Sequence, residues 1–240
     1  GFTASELERQ KTELLTRMEK AFNERDKTES RRYVMRYVYN FLDGIPMPSV
    51  EDEYKWYQML LPTVSLQEVN ALANQWITDE NRVVVITGPQ KEGISMPAEE
   101  EVEQLLNEVD KMNTEPYEEE VSDEPLLAKS DWKSVQPDNI EEMTEIDVTR
   151  ITYPNGVKLV LKPTDFKNDE ILLRAKSAGG HSLYSDENYF AAATSAEIIS
   201  NCGLGNFNMI DMQKKLAGKN VDISPYVGAT SEGFRGSATP

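Results

Sequence analysis

Few side chains in this sequence have the type and spacing to do chemistry. One histidine, His181, and one cysteine, Cys202, occur in 240 residues. A single imidazole excludes a histidine pair on one metal ion, and it leaves Ser182, Ser185 and Ser195 without a base elsewhere in the chain. His181 follows Gly179-Gly180 and reads as a loop histidine rather than a ligand. Cys202 excludes an internal disulfide and a cysteine-built zinc site. At the end of a small-residue helix, with no histidine in sequence reach, it reads as a buried thiol and not a nucleophile. That helix, Ala191-Ala192-Ala193-Thr194-Ser195-Ala196-Glu197, holds one carboxylate. Glu197 alone reads as a solvated or hydrogen-bonded helix carboxylate. The sequence therefore assigns no catalytic, cofactor-binding or metal-ligating residue.

Charge is unevenly distributed. Arg31, Arg32 and Arg36 form the one clear basic cluster, read as a solvated face pairing with nearby carboxylates, with a substrate-facing patch as the alternative. Residues 99–124 carry twelve carboxylates against one base, Lys111. Such a run describes a solvated linker, since like charges repel and extend a chain; Ca²⁺ binding or docking to a basic surface are the alternatives. The Gly-punctuated alternation of a dedicated Ca²⁺ loop is missing. The net charge of −17 argues against nucleic acid or an anionic membrane surface as partner.

The elements that must position these residues follow from apolar period and from caps. Leu7, Leu14, Leu15, Met18 and Phe22 mark an amphipathic helix to about Asn23. Thr28 is expected to cap a second, striped by Tyr33, Val34, Tyr37, Val38 and Phe41 and ended by Gly44. A third runs from Val50 to about Leu60, and Ser65-Leu66-Gln67-Glu68 is a capping box opening a fourth. These aromatic positions are expected in the core, which a chain of this length is long enough to bury. The β-branched run Arg82 to Thr87 predicts a strand covered on both faces. Pro97 opens a further helix through Val109. Thr149, Ile151 and Tyr153 alternate into Pro154-Asn155-Gly156, a hairpin signal, and Val157, Leu159 and Leu161 alternate out. A second reversal at 164–169 is expected to pair that strand with Glu170–Ala175. Helices Tyr189–Asn201 and from Asn208 to Leu216 follow, then strands at Val221–Ser224 and Phe234–Ala238. Strands, helices, strands is an α+β arrangement, with helices on one face of a largely antiparallel sheet. No apolar run reaches the roughly 18 residues of a membrane helix. The chain opens Gly1-Phe2-Thr3-Ala4 without an initiator methionine or a signal segment and reads as an excised piece. Compartment stays open, cytoplasmic or exported.

Tyr153-Pro154-Asn155-Gly156-Val157 through Lys162, the strand into Gly179-Gly180, the small-residue helix and Val221-Asp222-Ile223-Ser224-Pro225-Tyr226 resemble, in that order, the opening of one homology unit of the pitrilysin/insulinase zinc peptidases. The front of the chain resembles the end of such a unit, through Glu6-Leu7-Glu8-Arg9, the Asn23-Glu24-Arg25-Asp26 turn, Leu60-Leu61-Pro62-Thr63-Val64 and Val83-Val84-Val85-Ile86. The resemblance implies partial repeats of that α/β unit: residues 1–88 the back of one, 89–146 an acidic linker with one helix, and 147–240 the front of the next.

Active units of that family carry an inverted His-x-x-Glu-His motif on the helix after the Gly-rich strand end, where two imidazoles and a distant carboxylate hold Zn²⁺. The corresponding helix here has Ala, Thr and Ser and no histidine. The resemblance thus implies a fragment of a zinc metalloendopeptidase with a catalytically silent unit, zinc being held in the parent's other half and no cofactor in this chain. Its implied partners are the remainder of the parent chain and extended peptide substrates; exposed strand edges are expected to drive docking of the two parts or homo-oligomerisation. A non-enzymatic assembly subunit with the same fold is the alternative function.

Overall fold

The computed structural model describes residues 1–240 except 79, 81, 110, 113–116, 118–121, 123 and 129–132. The described part is mixed α+β, with seven α-helices and six strands in two antiparallel sheets. It divides into two compact units, Gly1–Leu7 with Thr63–Glu120, and Glu8–Pro62 with Val121–Pro240. Six carboxylates of the acidic run (Asp110, Glu115, Glu118, Glu119, Glu120 and Asp123) lie outside the described residues.

The smaller unit holds the first turn of α1 (Ala4–Asn23) together with α4 (Leu66–Trp76) and α5 (Glu99–Val109). Phe2 N donates to Asn70 Oδ1 at 2.6 Å and Asn70 Nδ2 donates back to Phe2 O at 3.2 Å, tying the chain start to α4. The capping box forms as expected: Glu68 N donates to Ser65 Oγ at 3.2 Å, and Ser65 N donates to Glu68 Oε2 at 2.8 Å. The Ser65 hydroxyl donates to the same Oε2 at 2.7 Å. That side-chain bond, then the backbone one, holds the Glu68 carboxyl below the usual carboxylate range. A depressed folded-state pKa contributes stability above the unfolded-state pKa and loses it as pH falls through the folded value. An NMR titration of the Ser65 amide is therefore expected to show a midpoint below that of an unstructured glutamate, and a midpoint at the ordinary value would remove the box from the ionised state. Arg82–Thr87 does not form the expected covered strand: it joins no ladder among the described residues, and Val83 is 84% exposed. A strand needs a neighbouring strand to take its amides, and no described strand pairs with this segment.

In the larger unit α1 continues to Asn23, followed by α2 (Ser30–Asp43) and α3 (Val50–Leu60). Thr28 does not cap α2: Glu29 stands at the cap position, and the Thr28 hydroxyl donates to Glu24 O at 3.0 Å. Gly44 closes α2 at φ 66 as expected, and Ser49 caps α3 by accepting from Asp52 N. Phe22 stacks on Tyr54 with centroids 5.1 Å apart, and Arg25 lies over Phe22 while pairing with Glu51 at 3.0 Å. Arg36 pairs with Glu53 at 2.8 Å and donates to Pro48 O, joining α2 to α3.

The first sheet is a meander of β1 (Asn139–Met143), β2 (Val148–Thr152) and β3 (Lys158–Leu161). The Pro154-Asn155-Gly156 turn forms, with Tyr153 N donating to Val157 O at 2.9 Å and Gly156 at φ 84. The second sheet has the order β4-β6-β5, from β4 (Ile171–Ala178), β5 (Val221–Val227) and β6 (Ser231–Ala238). Loop 164–169 therefore does not build the expected second hairpin: β4 pairs with β6, from Ile171↔Ala238 to Ala178↔Ser231, and β5 pairs with the other edge of β6. α6 (Tyr189–Ser200) lies on β5, and α7 (Met209–Leu216) follows.

Burial departs from expectation. Among the described residues Phe207 is the one hydrophobic side chain below a tenth exposed, and the helical aromatics Tyr33, Tyr37, Phe41 and Trp56 are exposed. Phe190 on α6 and Leu172 on β4 are 76% and 74% exposed. Amphipathic stripes form the helices, but most stripes have no partner face among the described residues.

Candidate functional site

The Gly-rich strand end folds into a strapped turn beside α6. Gly180 sits at φ 89, a conformation side chains rarely adopt, and an added Cβ would stand 2.3 Å from Gly228 O. The tight approach lets His181 N donate to Gly228 O and Ser182 N to Ala229 O, each at 3.0 Å, while Gly179 N donates to Thr230 O at 3.3 Å. These bonds strap the short 3₁₀ turn His181–Leu183 to the β5–β6 reversal. Gly180 N also donates to Glu232 Oε2 at 3.3 Å, which fixes the one carboxylate of β6 near the strand end.

Between this turn, α6 and the two strands lies a groove of about 360 Å³ lined by Tyr184, Asn188, Ala191, Ala192, Ser195, Val227 and Glu232. Its floor is the small face of α6 and its rim is polar. Ser195 Oγ donates to Ala192 O at 2.8 Å, so its proton stays within the helix, and Asn188 Nδ2 donates to Ser185 Oγ at 3.4 Å. His181 lies outside the groove, its ring edge-on to Tyr189 at 5.0 Å. Glu197 is exposed on α6. Cys202 is exposed, with its thiol donating to Ile198 O at 3.2 Å, which corrects the expectation of a buried thiol. The helix end leaves it at the surface because nothing among the described residues packs over it.

The groove does not fit zinc. Structural and catalytic zinc sites use three or four donors drawn from imidazole, thiolate and carboxylate, whereas this lining offers one carboxylate, a hydroxyl whose proton is committed, an amide and a phenol. Among the described residues no group of three His, Cys, Asp or Glu side chains is placed to hold a metal ion. No helix is long and apolar enough to cross a membrane, among the same residues. What the arrangement can do is accept a short side chain against alanine, with Tyr184, Asn188 and Glu232 as polar contacts. Glu232 escaped sequence reasoning because one glutamate in a Gly- and Ser-rich strand carries no periodic signal.

In sequence the chain is similar to proteins named as zinc proteases, consistent with a segment of a protease of the pitrilysin/insulinase type. Its curated relatives include a zinc protease PQQL-like protein of Arabidopsis thaliana, 24% identical over 229 residues, covering 90% of this chain and 23% of that protein. A probable zinc protease PqqL of Haemophilus influenzae is 21% identical over 241 residues, covering 100% of this chain and 26% of that protein. The chain thus spans about a quarter of the length of the curated relatives it matches. Among solved structures, the periplasmic protease PqqL from Escherichia coli aligns with TM-score 0.47 at 18% identity, covering 100% of this chain and 26% of that one. The ferredoxin protease FusC, solved in complex with Arabidopsis ferredoxin, aligns with TM-score 0.47 at 15% identity over 88% of this chain and 23% of that one. No protein-family model matches.

Proposed function

We propose that this chain is the junction segment of a zinc metalloendopeptidase whose metal is held elsewhere in the parent. Residues 1–88 close one peptidase-like unit, 89–146 form an acidic tether, and 147–240 open a second, catalytically silent unit. What supports this reading is similarity to zinc proteases over 90–100% of the chain, together with a groove beside α6 whose lining, Ala191, Ala192 and Ser195 among it, offers no imidazole. The exposed faces of α6 and β4, with Phe190 and Leu172 largely in solvent, support a remainder of the parent that covers them. The segment's work is then structural: it hinges the halves and walls the peptide cavity. The outer edges of β4 and β5 are unpaired among the described residues, and such edges add a strand to an extended peptide or to a second copy of the chain.

Elemental analysis of the purified chain is expected to find no stoichiometric zinc, and peptide substrates are expected to survive it. Stoichiometric zinc, or cleavage abolished by a chelator, would sink the proposal. A His-x-x-Glu-His helix encoded upstream separates the peptidase parent from the alternative, an assembly subunit of the same fold, which lacks that motif.

A further inference from the structure

One cavity in the larger unit has the opposite sign to the chain around it. It measures about 520 Å³ and is lined by Arg17 and Lys20 of α1, Arg31 and Arg32 of α2, and Lys167 before β4. Three carboxylates share the wall, and they are not equivalent. Glu24 is 8% exposed: its Oε1 accepts from Asn168 N and Asp169 N, and its Oε2, without a hydrogen-bond partner among the described residues, stands 3.7 Å from Lys167 Nζ. Glu29 and Glu170 are exposed, as are Arg17, Arg31 and Arg32, so water screens charges of both signs here.

The cations are not matched in the same way. Arg36, third member of the arginine cluster, is drawn off to Glu53, and Arg25 to Glu51. Arg17, Lys20, Arg31 and Arg32 have no ion-pair partner among the described residues. Arg31 and Arg32 moreover occupy the first turn of α2, where the one acidic neighbour is Glu29 at the cap position, whose side chain makes no cap hydrogen bond. A helix N-terminus carries a partial positive charge, so cations there oppose the dipole and lower the helix's own stability. An anion in the cavity relieves the crowding of like charge.

Volume and layout choose the anion. A water molecule takes a share of about 30 Å³, so a single phosphate, a few waters in size, would leave most of this space empty. The cations come from two helices and a loop, which suits several carboxylates spread along a chain. We propose that this cavity binds an acidic peptide segment, its carboxylates clamped by Arg17, Arg31 and Arg32. The inference needs only these side chains and stands apart from the peptidase reading.

The net charge of −17 makes the test clean, because diffuse electrostatics repel an acidic ligand. Fluorescein-labelled hexaglutamate, followed by anisotropy with the full chain at about 50 mM salt, is expected to bind saturably, and labelled hexaglutamine is not. Replacing Arg17→Gln, Arg31→Gln and Arg32→Gln together is expected to raise the Kd at least about tenfold, with the circular dichroism spectrum unchanged. The charge-matched set Lys91→Gln, Lys158→Gln and Lys176→Gln is expected to leave it where it was. Equal weakening in both sets, or no saturable binding, overturns the site. Displacement by inorganic phosphate at lower concentration than unlabelled hexaglutamate assigns a small-anion site and overturns the peptide.

Discussion

An alanine at Gly180 is expected to lower the stability of the larger unit by about 3 kcal/mol. Two effects add. The φ of 89 costs a non-glycine residue about 1–2 kcal/mol. The new Cβ, 2.3 Å from Gly228 O and 2.8 Å from Ala229 O, meets backbone on both sides and cannot be relieved by a rotamer change; forced backbone shifts of this kind cost about 1–3 kcal/mol. Urea denaturation should show a lower midpoint at unchanged slope. Hydrogen exchange supplies the local readout, since the amides of His181 and Ser182 lose their strap to the β5–β6 reversal and should exchange faster. An unchanged midpoint would mean that the turn is not the close approach described above.

Glu24 carries the second large effect. Glu24→Ala strands the amides of Asn168 and Asp169, donors now held at 2.7 and 2.6 Å, and each orphaned donor costs about 1–3 kcal/mol. The loop cannot simply swing into water to recover, because Asn168 Nδ2 also donates to Asn23 O and Asp26 Oδ1, and Asn23 Nδ2 donates to Asp169 Oδ2. A total of about 2–4 kcal/mol is expected by the same denaturation measurement. Glu24→Gln keeps an acceptor oxygen toward the two amides and should lose less than half as much. Equal losses in the two variants would assign the effect to the ion pair with Lys167 rather than to the amides.

How far the sequence was legible depends on where each signal lives. Elements fixed within a few residues were readable: Gly44, Ser65-Glu68 and Asn208 end or open helices through their own side chains or φ angles, and Asn155-Gly156 makes its turn locally. Thr28 misled because its hydroxyl had a second acceptor, Glu24 O, that only the fold supplies. The partner of β4 was not legible, since the apolar run Ile171–Leu173 says that a strand forms and nothing about which strand lies beside it. β1 was missed because Glu141 and Glu142 interrupt its apolar character, and it is held instead by its ladder to β2 and the cross-strand Arg150–Glu141 pair at 3.2 Å. Burial failed most widely, because a helical stripe marks a face that seeks a partner and cannot say whether the partner is in the same chain. For the candidate site, the small residues of α6 and the special role of Gly179-Gly180 were legible, whereas Glu232 and Tyr184 reach the groove only through pairing of distant segments.

The order β4-β6-β5 also has a consequence on the ribosome. The middle strand is the last of the three to be made, so neither β4 nor β5 has its ladder partner until Ser231–Ala238 has left the exit tunnel. At roughly 5–20 residues per second, the synthesis of α6, α7 and β5 holds β4 waiting for several seconds, with Leu172 and Leu173 open to any passing strand. A chain whose translation stops before Ser231 therefore has two orphan strands rather than a smaller sheet.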